Sequence, residues 1–224
     1  VRQLKIKIKD RLNNVINFLK QEELSMSDNQ LIGLAEDFFQ NSLDSSPTSA
    51  IMRGHKKYFD QIEELTEDQF QKEKETVDNF IQRLNAIEKD NLTNREKVTH
   101  GMLEFALSSN QDSLLDRSWE FGAGVSGFTG FLIDYNQQMF IPDSESADMM
   151  LKRLELYKRL YTQIAQVQKE GLNNNRVATE RNLLRTIDQL ENYLASSLDQ
   201  DPLLLVNFSP EISGSEISEW KDKA

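Results

Sequence analysis

The chain of 224 residues has no cysteine. Disulfides, thiolate nucleophiles and cysteine-ligated zinc are therefore excluded from it. Proline occurs four times, so long helices can run unbroken. No apolar run approaches the roughly 18 residues that a membrane-spanning helix needs, and no transmembrane segment is expected. The only histidines are His55 and His100. Neither has a second histidine four positions away, so the His-Glu-x-x-His zinc pattern is missing. Positive charge is in deficit: 26 Lys and Arg face 37 Asp and Glu, for a formal net charge of −11. A nucleic-acid partner would need the opposite balance. The single basic cluster, Arg2, Lys5, Lys7, Lys9 and Arg11, reads as the wet face of a terminal helix.

Glycine is also sparse, nine residues in all, and four of them crowd into one stretch at Gly122, Gly124, Gly127 and Gly130. That stretch, Trp119 to Pro142, also carries Phe121, Phe128, Phe131, Tyr135 and Phe140. Glycine lets the backbone turn or approach closely, and aromatics give irregular backbone something to bury. The pattern predicts an ordered, packed crossing between two helical halves. It is not a phosphate cradle, because no lysine follows it and no strand precedes a Gly-x-Gly-x-x-Gly. Gly124-Val125-Ser126-Gly127 approaches a nucleophile elbow in letters but lacks the strand–turn–helix context.

The rest is helix-periodic. Leu4, Ile8, Leu12, Val15, Ile16 and Leu19 make a stripe over residues 3–24. Leu31, Leu34, Ala35, Phe38 and Phe39 form the cleanest amphipathic pattern, with Ser27 or Asp28 available as a cap. Ser45-Ser46-Pro47-Thr48 ends that helix and starts another, with Pro47 suited to a first helical position. Gly54-His55 stops it, and 55–65 read as loop anchored by Tyr58, Phe59, Ile62 and Leu65. Two capping boxes, Thr66 to Gln69 and Thr93 to Glu96, open the next helices. The first should bury Phe70, Val77, Phe80, Ile81, Leu84 and Ile87. The second should bury Val98, Met102, Leu103, Phe105, Ala106 and Leu114.

After Pro142-Asp143-Ser144 a long helix over about 145–170 carries Ala147, Met150, Leu151, Leu154, Tyr157, Leu160, Tyr161, Ile164 and Val167. Gly171 reads as its C′ residue. Val177, Leu183, Leu184, Ile187, Leu190, Tyr193 and Leu194 mark another helix, and Leu203–Phe208 a short apolar anchor. Ser213 to Glu216 caps a last one with Ile217 and Trp220. The organisation expected is an N-terminal helix over 1–26, a first helical half over 27–117, the crossing over 118–143, a second helical half over 144–208 and the start of a truncated helix over 209–224. The fold class is all-α, a bundle of long antiparallel helices.

No residue constellation declares a chemistry. Carboxylates such as Glu63, Glu64, Glu67, Asp68, Glu73 and Glu75 fall in first helical turns, where the macrodipole favours them, or on wet faces. His100 sits mid-helix and reads as a surface or satisfied core residue; His55 lies in a loop.

The order of features resembles a bacterial family, domain of unknown function 885. Leu34 to Gly54, with Ser46-Pro47-Thr48-Ser49-Ala50 and Gly54, resembles its opening. The helix pair from Leu65, the glycine crossing and the segment from Ser146 to Leu194 resemble the family's middle, and the likeness covers roughly Leu31 to Phe208. The resemblance implies a helical zinc peptidase of the gluzincin kind, with zinc polarising a carbonyl and activating water. Its zinc motif, His-Glu-x-x-Pro-Gly-His, is absent from this sequence. No catalytic or metal-binding residue is therefore expected in this chain. The chain would be the N-terminal, cleft-forming half of a larger zincin-like fold, partnered by the C-terminal catalytic half of the same polypeptide. Zinc is expected for the full-length protein only, and a peptide would be the substrate. Phe128, Tyr135, Asn136 and Gln138 are the residues expected to touch it. A periplasmic, envelope-anchored or secreted location fits the family better than the cytoplasm. The competing reading is a stand-alone acidic helical module that binds a protein partner without catalysis.

Overall fold

The structure, a computed structural model, describes residues 30–121 and 135–224. It is all-helical apart from one two-residue strand pair among those residues. In chain order the helices are α1 (Gln30–Ser45), α2 (Pro47–Met52), α3 (Glu67–Asn85), α4 (Asn94–Leu115), α5 (Ser144–Asn173), α6 (Glu180–Ala195) and α7 (Gly214–Lys223). The strands β1 (Phe140–Ile141) and β2 (Asn207–Phe208) pair in parallel, Phe140 opposite Asn207 and Ile141 opposite Phe208. The expected helix over 1–26 lies outside the described residues.

The described residues fall into two compact units, one containing 30–41 and Thr76–Asn110, the other Ser42–Glu75 with 111–121 and 135–224. In the first, Leu31 and Leu34 of α1 are buried with Val77, Phe80 and Leu84 of α3 and Leu103 and Leu107 of α4. Phe38 meets Phe80 edge-on, ring centroids 5.7 Å apart. Each such aliphatic or aromatic side chain contributes roughly 1.5–3 kcal/mol before entropy is counted. Phe39 departs from the expected stripe and is half-exposed. A five-residue apolar arc is wider than the contact it makes, and its outer edge stays wet.

α4 corrects the reading of its buried face. Val98, Met102 and Phe105 are exposed, whereas His100, Leu103 and Leu107 are buried. Apolar residues go all the way round this helix, so periodicity does not choose a side. Its start agrees with expectation: the Thr93 N–H donates to Glu96 Oε2 at 2.7 Å and the Glu96 N–H to Thr93 Oγ1 at 3.3 Å.

The second unit is built on α5. Asp143 caps it by accepting from the Ser146 N–H at 2.9 Å. One face buries Ala147, Met150, Tyr157, Leu160, Ile164 and Val167 as expected. Toward its start it packs against Ala50, Ile51, Tyr58, Phe59, Met139, Ile141 and Trp220; further along it meets Ile62, Leu65 and Phe70. The Trp220 indole N–H donates to the Ala147 carbonyl at 2.8 Å, tying α7 to α5. α7 starts on the expected capping box, Ser213 with Glu216.

Gly171 is not the C′ residue of α5. The helix runs on to Asn173, and Asn175 supplies the left-handed residue at φ 56°. Gly171 is needed for proximity instead: a Cβ there would lie 2.3 Å from the Glu120 carbonyl oxygen and 2.6 Å from that of Arg176. α6 also departs from expectation. Of its residues only Thr186 is buried, while Leu183, Leu184, Ile187 and Leu194 are exposed.

Candidate functional site

The Ser46-Pro47 turn is held by a buried polar hub. Pro47 opens α2 with its fixed φ. The next N–H, of Thr48, donates to Glu63 Oε1 at 2.9 Å, and the Thr48 hydroxyl donates to Glu63 Oε2 at 2.7 Å. The same hydroxyl accepts from Arg153 Nη2 at 2.5 Å, and Arg153 Nη1 donates to the Gln61 carbonyl. Arg153 is completely buried in the middle of α5, and its Nη2 lies 4.0 Å from Glu63 Oε2. Isolated buried charges are costly, and here each offsets the other across one hydroxyl. Its Nε has no partner among the described residues.

A second knot joins the end of α4 to the end of α5. Arg117, at φ 50°, pairs with Glu120 and reaches Glu67 at the start of α3 through Nη1 at 2.9 Å and Nη2 at 2.5 Å. Glu120 is buried between Arg117 and Arg176. The Arg176 guanidinium first, and then Arg117, holds the Glu120 carboxyl below the usual range. Arg117 does the same for Glu67.

Glu63 and Gln61 of the first knot also line a groove of about 590 Å³, lined only by residues of the second unit. One wall is aromatic: Phe70 and Trp119 stack with centroids 4.0 Å apart and planes at 16°. Ile62, Leu65, Ile164 and Val167 extend the apolar surface. Its charged lining is entirely acidic: Asp44, Glu63, Glu64 and Glu73, with no lysine, arginine or histidine among the described residues that line it. Glu63 is consumed by the hub. Asp44 accepts from the Tyr58 hydroxyl at 2.6 Å. Glu73 lies one turn beyond Phe70 on α3, half-buried, and desolvation raises its carboxyl above the usual range. The arrangement offers an apolar body and carboxylates side by side.

Of the residues expected to touch substrate, Phe128 lies outside the described residues. Asn136 is completely buried; its Nδ2 donates to the Leu203 carbonyl at 3.1 Å and its Oδ1 accepts from the Tyr157 hydroxyl at 3.0 Å. Tyr135 is half-buried and Gln138 exposed, and the Gln138 N–H donates to the Tyr135 carbonyl at 3.0 Å. None of these three lines the groove. Sequence reasoning missed Arg153, Glu63 and Glu73. Arg153 did carry a signal: it sits at the buried spacing between Met150 and Tyr157, where a charge demands a buried partner. Glu63 corrects the assignment of its carboxylate to a wet face.

Among the described residues no group of three or more His, Cys, Asp or Glu could hold a metal ion. His100 is buried in the first unit, with Nδ1 3.9 Å from Glu104, and His55 belongs to the second.

Residues 47–224 match the family described as "Bacterial protein of unknown function (DUF885)". The chain belongs to this family. The DUF885 match begins at Pro47, not at Leu31, and runs through Ala224, past Phe208. It takes in both polar knots and all but the Asp44–Ser46 edge of the groove. No curated protein and no solved structure matches the chain.

Proposed function

We propose that the chain is the N-terminal, cleft-forming helical portion of a zinc-dependent peptidase, and that zinc is held by the C-terminal catalytic half of the same polypeptide. DUF885 membership supports the family setting. The observation that carries the division of labour is the outward face of α6. Leu184, Ile187 and Leu194 are 55%, 49% and 79% exposed, with Val177 and Leu198 exposed on the flanking segments. An amphipathic helix owes its stability to what its apolar face packs on, and uncovered apolar patches mark interaction surfaces. On this reading the catalytic half covers α6, and the groove of the second unit supplies a wall for the peptide. No step of the reaction falls to residues 1–224.

The test is metal analysis and peptide hydrolysis on the intact natural polypeptide beside residues 1–224. Zinc and hydrolysis with the intact polypeptide only, both lost on replacing a downstream motif histidine, is the expected result. Stoichiometric zinc on residues 1–224 alone would sink the reading. So would a natural polypeptide with no downstream His-Glu-x-x-Pro-Gly-His; the α6 face would then serve another protein, as in the stand-alone module.

A further inference from the structure

We propose that the groove between α3, the 61–65 loop, residues 118–119 and α5 binds a peptide segment that sets a cationic side chain beside an apolar one. The apolar requirement comes from the wall. Phe70, stacked on Trp119, lines the groove together with Ile164 and Val167, and an apolar wall of this kind gains from a large apolar partner. The cationic requirement comes from the carboxylates. Glu63 and Asp44 already have donors. Glu64 and Glu73 have no hydrogen bond or ion pair among the described residues. Glu73 stands at i+3 from Phe70, so one ligand can meet both. A half-buried carboxylate without a partner carries a desolvation cost that a ligand ammonium or guanidinium would offset. An acidic or neutral segment would leave that cost in place. The volume also fits: about 590 Å³ is within the range of small-ligand pockets, roughly 300–1,000 Å³, enough for a few side chains. This inference rests on the cleft-forming reading for its setting, but it concerns binding, not cleavage.

The experiment is fluorescence anisotropy of a labelled leucine–lysine hexapeptide on the 224-residue chain, with a leucine–glutamate hexapeptide alongside. The lysine peptide should bind and the glutamate peptide should not. Glu73→Gln should weaken binding about tenfold, the scale of one charge-assisted contact. Glu180→Gln, an equal charge change on exposed α6, should leave the affinity within about twofold. Binding should also change Trp119 emission, a response that disappears in Trp119→Phe while anisotropy still reports the peptide. Because Glu73→Gln removes a desolvated charge, it should fold, and a thermal melt confirms that. Equal binding of the two peptides, equal effects of the two Gln substitutions, or an unresponsive Trp119 would overturn the proposal. Lysine-peptide binding without hydrolysis by the intact polypeptide would leave it standing and remove the peptidase reading. Hydrolysis by the intact polypeptide with none of these binding effects would do the reverse.

Discussion

At the scale of single residues, three positions carry more than their chemistry suggests. Gly171 is fixed by distance. Gly171→Ala would push a methyl group into the Glu120 and Arg176 carbonyls, and the forced shift should cost about 1–3 kcal/mol, read as a lower urea midpoint. Thr48 bridges two buried charges with a single hydroxyl. Thr48→Val keeps the shape but deprives both charged groups of a partner, a loss of about 1–3 kcal/mol by the same measurement. Glu73 acts in the opposite direction. Its folded carboxyl is raised above the ordinary 4.5 by burial, so the folded state binds the proton more tightly than the unfolded state. The resulting penalty is absent below pH 4.5 and complete once pH exceeds the folded value. Glu73→Gln should therefore be more stable than the parent at pH 7 and indistinguishable from it near pH 4, as urea midpoints at the two pH values would show.

At the scale of elements, α5 and α6 are a matched contrast. Both read as amphipathic helices, yet α5 buries its stripe and α6 exposes it. Leu160→Ala on α5 removes a fully buried side chain and should cost about 2–5 kcal/mol. Leu184→Glu with Ile187→Glu on α6 should change the stability of residues 1–224 by no more than about 0.5 kcal/mol each. A large loss from the α6 pair in thermal melts would mean that the chain itself covers this face. The contrast was not legible in the sequence, because periodicity reports that a face is apolar and not what lies against it. α4 makes the same point more strongly: with apolar residues all round, its buried side was set by neighbours distant in sequence. Helix starts were legible because capping is local. Pro47, the Thr93 and Ser213 boxes and Asp143 all act within a few residues.

At the scale of the whole molecule, the acidic balance shapes the response to pH. Glu120 and Glu67 are held below 4.5 by arginines, and Asp143 is lowered from 3.8 to about 2, first by Lys56 at 2.5 Å. Depressed carboxyls contribute stability above their unfolded values and lose it as pH falls through the folded ones. The parent should therefore lose stability progressively below pH 4.5. Arg176→Gln, which removes the main support of Glu120, should be less stable at pH 7, with a gap that narrows as pH falls below 4.5 and Glu120 protonates. Equilibrium urea unfolding across that range checks it, and a gap that widens in acid would contradict the assignment.

The amino-acid order by itself determined the all-helical class, the helix starts and the long buried stripe of α5, because these depend on spacing of apolar residues and on caps a few positions away. It also carried the family setting, through Pro47 and the helical segments C-terminal to it. Tertiary structure alone decided that Thr48, Glu63 and Arg153 form one hub, that Gly171 serves close approach, and that Phe70, Glu73 and Trp119 share a groove. Each of those brings together positions far apart along the chain. Local propensity carries no record of such pairings, since burial and charge compensation are properties of the packed neighbours and not of the segment.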